Sequence, residues 1–257
     1  MKIVLLQTDI TWANPPRNAE EAEKLMSSCP GADLYVLPEM FSTGFCVHPE
    51  GVAETEGGYS LQWMKAYARA HDCAVAGSLS VEEDGHYYNR FYFVFPDGTF
   101  RHYDKRHLFS FGGEDRSYEA GRERVVVGFR GMRILLQVCY DLRFPVWARN
   151  KGDYDMILYV ANWPVQRMEV WHTLLHARAI ENQCYVAGVN RVGSDPYCRY
   201  NGGTMLIDAY GRDMASCRSD IPDAVMADVS LDVLEDFRHK FPVLRDGDDF
   251  TCPPFNC

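Results

Sequence analysis

The chain has no long apolar run, no paired-cysteine signature, no surplus of basic residues and no low-complexity tract. Each absence removes a class of protein. A membrane-spanning helix needs about 20 consecutive apolar residues, and no segment of the 257 approaches that. The opening run Ile3-Val4-Leu5-Leu6 passes at once into Gln7-Thr8-Asp9, too short for a secretory core. The expected location is the cytoplasm. Lys and Arg total 26 against 36 Asp and Glu, a formal net charge of −10. That argues against a nucleic-acid binder, whose footprint is a basic face, and against an anionic membrane surface. The nine cysteines (29, 46, 73, 139, 184, 198, 217, 252 and 257) are odd in number and include no CxxC pair. They read as reduced thiols, mostly small hydrophobes filling core. Cys252 and Cys257, in a Pro-rich tail, could pair on oxidation.

What is present is a globular pattern. With 47% hydrophobic residues the chain can bury a sizeable core, and disorder is excluded. Apolar runs at 2–9, 34–37, 73–80, 87–95, 99–103, 124–129, 132–138, 156–160, 184–190, 203–208, 213–217 and 224–229 read as strands. Amphipathic stretches at 17–28, 61–71, 144–150, 167–182 and 231–238 read as helices. Asn14-Pro15-Pro16 is expected to break the chain before the first helix, and Pro96-Asp97-Gly98 to turn a hairpin. Helices alternate with strands early, while paired strands come in the middle and at the end. This predicts mixed sheets with helices outside, a layered α/β architecture. One domain is expected over 1–240, with a tail at 241–257 of the kind that packs on a neighbouring subunit.

Three segments place a polar residue where an apolar strand runs out. They are Leu37-Pro38-Glu39, Tyr103-Asp104-Lys105-Arg106-His107-Leu108-Phe109 and Val138-Cys139-Tyr140-Asp141-Leu142-Arg143-Phe144-Pro145. Pro38 cannot continue a central strand, so Glu39 projects from a strand end, where sites in α/β folds gather. Cys139 stands on a strand-to-helix turn, where a helix N-terminus favours the thiolate. The same turn frees backbone N–H groups, that of Tyr140 among them, to bind an oxyanion. Taken singly, Cys139 reads equally well as core filler, Lys105 as a surface lysine beside Asp104, and Glu39 as a solvated loop carboxylate. His172 and His176 form a separate constellation, at i, i+4 on one helix face. Thr173 stands where a zinc-peptidase motif needs Glu, and Glu169 is the only nearby candidate for a third ligand. They read as ordinary helix histidines, and no metal is expected.

The three segments together, in this order, resemble the nitrilase superfamily of C–N hydrolases. So do Ala161-Asn162-Trp163-Pro164, Ala177-Arg178-Ala179-Ile180-Glu181-Asn182-Gln183, Asn190-Arg191-Val192-Gly193 and Gly202-Gly203-Thr204. The likeness runs from Lys2 to about Val229. It implies a four-layer α-β-β-α sandwich, an oligomer (usually a dimer that stacks two sandwiches), and a catalytic triad of Glu39, Lys105 and Cys139. It implies a second site glutamate too, best matched by Glu114 in the loop 110–121, to help place substrate and water. No metal or other cofactor is implied. In that chemistry Glu39 shuttles the thiol proton, Lys105 stabilises thiolate and oxyanion, and a thioester forms on Cys139.

Within the superfamily the chain is most similar to the bacterial omega-amidase branch. That likeness implies deamidation of 2-oxoglutaramate or 2-oxosuccinamate to a 2-oxo dicarboxylate and ammonia. Such a substrate needs a cation, for which Arg143 is the candidate by proximity, unless it holds the nucleophile turn through Asp141. Phe41, Phe111, Tyr140, Trp163 and Met205 read either as shaping a narrow pocket or as ordinary core. The alternatives are an N-carbamoyl-amine amidohydrolase using the same triad, a true nitrilase, and a catalytically silent ligand-binding homologue. The intact triad speaks against the last.

Overall fold

Ile3 and Leu5 point to one side of the first strand and Val4 and Leu6 to the other, and both sets are buried in different clusters. A strand reads this way only when both faces of its sheet are covered. In the computed structural model, which describes residues 1–251, the same holds in the second half of the chain. There Ile134 and Leu136 face one cluster and Leu135 another.

The first half forms β1 (Lys2–Gln7), α1 (Pro15–Ser28), β2 (Leu34–Val36), α2 (Tyr59–His71), β3 (Ala74–Glu83), β4 (His86–Val94) and β5 (Phe100–Asp104). The second half forms β6 (Val126–Phe129), β7 (Met132–Val138), α3 (Pro145–Ala148), β8 (Met156–Val160), α4 (Met168–Asn182) and β9 (Tyr185–Val189). It continues through β10 (Val192–Ser194), β11 (Arg199–Asn201), β12 (Met205–Ile207), β13 (Asp213–Ser216), β14 (Asp223–Asp228) and α5 (Leu231–Lys240).

Two six-stranded sheets result, in the orders β14-β1-β2-β3-β4-β5 and β13-β12-β9-β8-β7-β6. Their ladders correspond. In each, three central strands run parallel (β1-β2-β3, β7-β8-β9), and the neighbours beyond them pair antiparallel. The halves thus repeat an architecture without a sequence repeat. The inner faces pack together through Ile3, Val36, Phe91, Phe93, Ile134, Leu158 and Ala187. The outer face of the first sheet is covered by α1 and α2 (Ala22, Met26, Leu61, Met64), and that of the second by α4 (Trp171, Leu175, Ala179). The layers are α-β-β-α, as the family resemblance implied.

Several boundaries moved for local reasons. Pro15 and Pro16, expected as a breaker, are the first residues of α1, capped by Asn14 Oδ1 accepting from Arg17 N at 3.2 Å. Proline lacks an N–H that has no partner at those positions anyway. The helix expected at 144–150 is the one-turn α3, preceded by a 3₁₀ turn, Cys139–Arg143, that was not expected. The small β10–β11 hairpin was not foreseen. Residues 241–251 contact the body of the chain: Gln183 Nε2 donates to Phe241 O at 2.6 Å, and the Lys151 ammonium is 4.2 Å from the Phe250 ring centroid. Cys252 and Cys257 fall outside the described residues. No helix among the described residues is long and apolar enough to cross a membrane.

Candidate active site

Parallel neighbours β7 and β8 of the second sheet and β2 of the first end at one rim, where Asn162 after β8 is bonded to Glu39 after β2, the usual place for a site in such sheets. Glu39 follows β2 through Pro38. The next residue, Met40, takes a left-handed φ of 42°, and its N–H donates to Ser78 Oγ at 2.9 Å. Lys105 follows β5. Its N–H donates to Asn89 O at 3.0 Å and its carbonyl accepts from Gly121 N at 2.9 Å. A Cβ at Gly121 would lie 2.0 Å from Asp104 O, so only glycine lets the 110–121 loop close on this strand.

Cys139 follows β7 and has a φ of 44°. For a residue with a Cβ this conformation costs about 1–2 kcal/mol, so something must hold it. Asp141 does. Its Oδ2 accepts from Val138 N at 2.9 Å and from Tyr103 OH at 2.8 Å, while Oδ1 accepts from His107 N at 3.0 Å and lies 2.8 Å from His107 Nδ1. The Lys105 and Cys139 segments are therefore locked by one buried carboxylate. Opening a 3₁₀ turn at Cys139 leaves its first N–H groups, including that of Tyr140, without intrahelical acceptors.

Glu39, Lys105 and Glu114 are fully buried together. Lys105 Nζ lies 2.9 Å from Glu39 Oε1 and 3.0 and 2.8 Å from the two oxygens of Glu114, so its three protons meet three carboxylate oxygens. Asn89 Nδ2 donates to Glu39 Oε1 at 2.8 Å and to Glu114 Oε1 at 3.0 Å. Asn89 Oδ1 accepts from Ser78 Oγ. Glu39 Oε2 accepts from Asn162 N at 2.8 Å, and Asn162 Nδ2 donates to Glu39 O at 2.6 Å. Phe109 N closes the set on Glu114 Oε2 at 2.6 Å.

Burial works against the charge of Lys105, but Glu114 and Glu39 outweigh it and lift the ammonium above the usual lysine range. Burial pushes the Glu114 carboxyl up; Lys105 pulls it back and Glu39 adds to the rise. Burial, then the charge of Glu39, raises the Cys139 thiol well above its ordinary value against the pull of Lys105. Burial and Glu39 thus both favour the neutral form of the Cys139 thiol, which stands beside a carboxylate cluster.

Glu39, Lys105 and Cys139 all open on one cavity of about 390 Å3. Of the residues expected to shape it, Tyr140, Arg143, Phe111 and Trp163 line it; Phe111 is 86% exposed, at the mouth. Phe41 does not. The turn at Met40 sends its ring into the core under α2, 5.7 Å from Trp63. Met205 likewise belongs to the core beneath α4. Arg143 is not a partner of Asp141; its guanidinium lies 5.2 Å over the Trp163 ring.

Sequence reasoning missed Asn89, Ser78 and Arg167, and gave Asn162 no role. A signal existed for Asn89, a lone amide inside the apolar strand Tyr87–Val94. None existed for Arg167, which lines the cavity from a short 3₁₀ turn, 5.2 Å from the Phe109 ring centroid. Across the mouth stands the unforeseen hairpin, through Asp195, Tyr197 and Tyr200. His172 and His176 lie elsewhere. His176 Nδ1 is 2.7 Å from His172 O and its Nε2 2.8 Å from Asp213 Oδ1. No group of three or more possible metal ligands occurs among the described residues.

A layered sandwich with a thiol, a lysine and two carboxylates at the rim of its parallel strands defines a class of hydrolase, and the comparisons agree. The sequence profile of the Carbon-nitrogen hydrolase family matches residues 2–239. The chain belongs to that family. An omega-amidase from Yersinia enterocolitica is 45% identical over 97% of this chain and 98% of its own. A 2-oxoglutaramate amidase from Bacillus subtilis is 34% identical over 95% of this chain and 96% of its own. A crystal structure of a CN-hydrolase superfamily protein from Xanthomonas campestris, with an arsenic adduct in its active site, superposes with a TM-score of 0.95. That structure is 40% identical and the match covers 98% of this chain and 99% of the other. The protein is an amide-hydrolysing enzyme, most similar to the bacterial omega-amidases.

Proposed function

We propose that this enzyme hydrolyses the terminal carboxamide of a small 2-oxo acid, 2-oxoglutaramate or 2-oxosuccinamate, with Cys139 as the nucleophile. The observation that carries the reading is the buried Glu39–Lys105–Glu114 cluster at the floor of a cavity that also holds Cys139 and Arg143. The names of the Yersinia and Bacillus relatives support the substrate class.

The neutral resting thiol calls for a base at the moment of attack, and Glu39 is placed for it. As Sγ bonds to the amide carbon, the thiol proton passes to Glu39. Charge then develops on the amide oxygen, which meets the Lys105 ammonium and the Tyr140 N–H. One of the two Glu114 contacts of Lys105 is released to free that proton. Collapse breaks the C–N bond, and the nitrogen takes the proton from Glu39 and departs as ammonia. Water then attacks the thioester, gives a proton to Glu39, and the dicarboxylate leaves as the thiol is restored. Glu114 and Asn89 hold Glu39 and Lys105 in register throughout, so little reorganisation is needed. Arg143 offers its charge to the substrate carboxylate.

The test is ammonia release from 2-oxoglutaramate, 2-oxosuccinamate, N-carbamoyl amines and simple nitriles under one set of conditions. The reading expects the two 2-oxo amides to have the highest kcat/KM. Inactivity toward both would sink it, and preference for an N-carbamoyl amine would transfer the same triad to that substrate.

A further inference from the structure

Arg143 and Arg167 enter the same cavity as Cys139, half-buried, and among the described residues neither guanidinium has a hydrogen bond or ion pair. This sets them apart among the arginines withdrawn from solvent, since Arg101, Arg116, Arg122, Arg212 and Arg245, which also lack such a bond, are exposed. Arg90, Arg124, Arg133, Arg178 and Arg238 are all bonded to carboxylates. Of the two carboxylates that line the cavity, Glu39 is taken by Lys105, Asn89 and Asn162, and Asp195 by Tyr200 OH at 2.6 Å and the N–H groups of Tyr197 and Cys198.

One side chain organises both arginines. The buried ring of Trp163 carries Arg143 at 5.2 Å, and its Nε1–H donates to Arg167 O at 2.8 Å. Trp163 is itself fixed by Asn190, which accepts from its N–H at 2.8 Å and donates to its carbonyl at 2.9 Å. Arg167 in turn lies over Phe109, whose N–H is bonded to Glu114. Asn162, one residue before Trp163, is bonded to Glu39. The two cations therefore share a rigid frame with the carboxylates that flank the thiol. Aromatic faces orient a guanidinium but leave its N–H fork free for a planar anion.

We infer that Arg143 and Arg167 form a two-guanidinium clamp for the carboxylate and adjacent 2-oxo oxygen of the substrate, the end remote from the scissile amide. This rests on the proposed 2-oxo amide substrate and adds Arg167 as the residue that selects it. A forked donor pair satisfies two acceptor groups that a simple amide lacks, so the clamp sets selectivity rather than bond cleavage. It also binds the dicarboxylate product.

Two readouts test the clamp, one of them independent of turnover. In the first, Arg167→Met and Arg167→Lys are compared with wild type for kcat/KM on 2-oxoglutaramate relative to butanamide. The Met variant lowers that ratio by about 10- to 100-fold, the worth of a charge-assisted hydrogen bond. The loss falls mainly in KM, and the Lys variant recovers part of it. In the second, 2-oxoglutarate slows alkylation of Cys139 by iodoacetamide in wild type, and Arg167→Met loses that protection. An unchanged selectivity ratio with unchanged protection overturns the clamp, as does an equal loss on both amides, which would mark Arg167 as merely structural. If wild type releases no ammonia from 2-oxoglutaramate, the proposed substrate fails while the protection experiment still decides the clamp. Protection lost in Arg167→Met supports it, and protection absent from wild type or kept in the variant refutes it.

Discussion

Lys105 Nζ lies 2.9 Å from Glu39 Oε1, and neither side chain reaches solvent. A buried ion pair of this kind contributes little net stability, but removing one partner strands the other. Lys105→Met leaves two carboxyls facing each other and is expected to cost about 3–5 kcal/mol in urea unfolding along with activity. Adding Glu114→Gln to that variant should restore part of the stability and none of the turnover. Equal stability of wild type and Lys105→Met would show that the cluster is not a charged network.

Glu39 raises the thiol pKa and, in the proposed mechanism, serves as its base, and the two roles separate on substitution. Glu39→Gln should lower ammonia release by about 10²–10⁴-fold, the range for loss of a general base. The same variant removes the charge that, after burial, holds the Cys139 thiol up. Its thiolate fraction near neutral pH therefore rises, and alkylation by iodoacetamide should be faster than in wild type. Slower alkylation would mean that Glu39 activates the resting thiol directly.

Asn89 bridges both carboxylates and is anchored by Ser78. Asn89→Leu leaves Glu39 and Glu114 each short of a donor, which is expected to cost about 1–3 kcal/mol in urea unfolding. The fall in kcat should exceed the rise in KM, because the amide touches the two carboxylates proposed for catalysis and does not line the cavity. A pure KM effect would contradict that placement.

Asp155 provides a pH dependence away from the site. Burial alone would raise its carboxyl, but bonds from Arg133 and Arg238 overcome burial and hold it below the ordinary value. A depressed folded pKa gives stability that is complete above the unfolded value. That stability is lost as the pH falls through the folded one. Asp155→Asn should therefore be less stable than wild type in urea at pH 7, with the gap closing below the ordinary carboxylate range. A gap that stays constant with pH would remove this ion pair from the acid response.

Much of this arrangement was legible in the sequence because the chemistry sits at strand ends. The apolar run 132–138 stops at Cys139, Pro38 stops β2 before Glu39, and Pro96-Asp97-Gly98 turns the β4–β5 hairpin that delivers Lys105. These local signals mark where hydrophobicity ends, but the grouping of Glu39, Lys105 and Cys139, and the choice of Glu114, came from the resemblance to the nitrilase superfamily. Phe41 was misplaced because its direction depends on the left-handed Met40, which sequence periodicity does not reveal. Arg167 and the β10–β11 hairpin were invisible for another reason. Arg167 stood only as the first residue of the helix expected at 167–182, where nothing marks a cation as facing the thiol, and Asp195-Pro196-Tyr197-Cys198 between the two short strands reads as plain loop. Their importance comes only from the tertiary fold that sets them around the thiol.

Substitution of the thiol itself tests the account most directly. Cys139→Ser, with the other cysteines intact, is assayed for ammonia release from 2-oxoglutaramate beside a thermal unfolding trace. The account predicts an unchanged unfolding transition and a fall in kcat/KM of about 10³-fold or more, as loss of an essential nucleophile gives. Turnover close to that of wild type would contradict it.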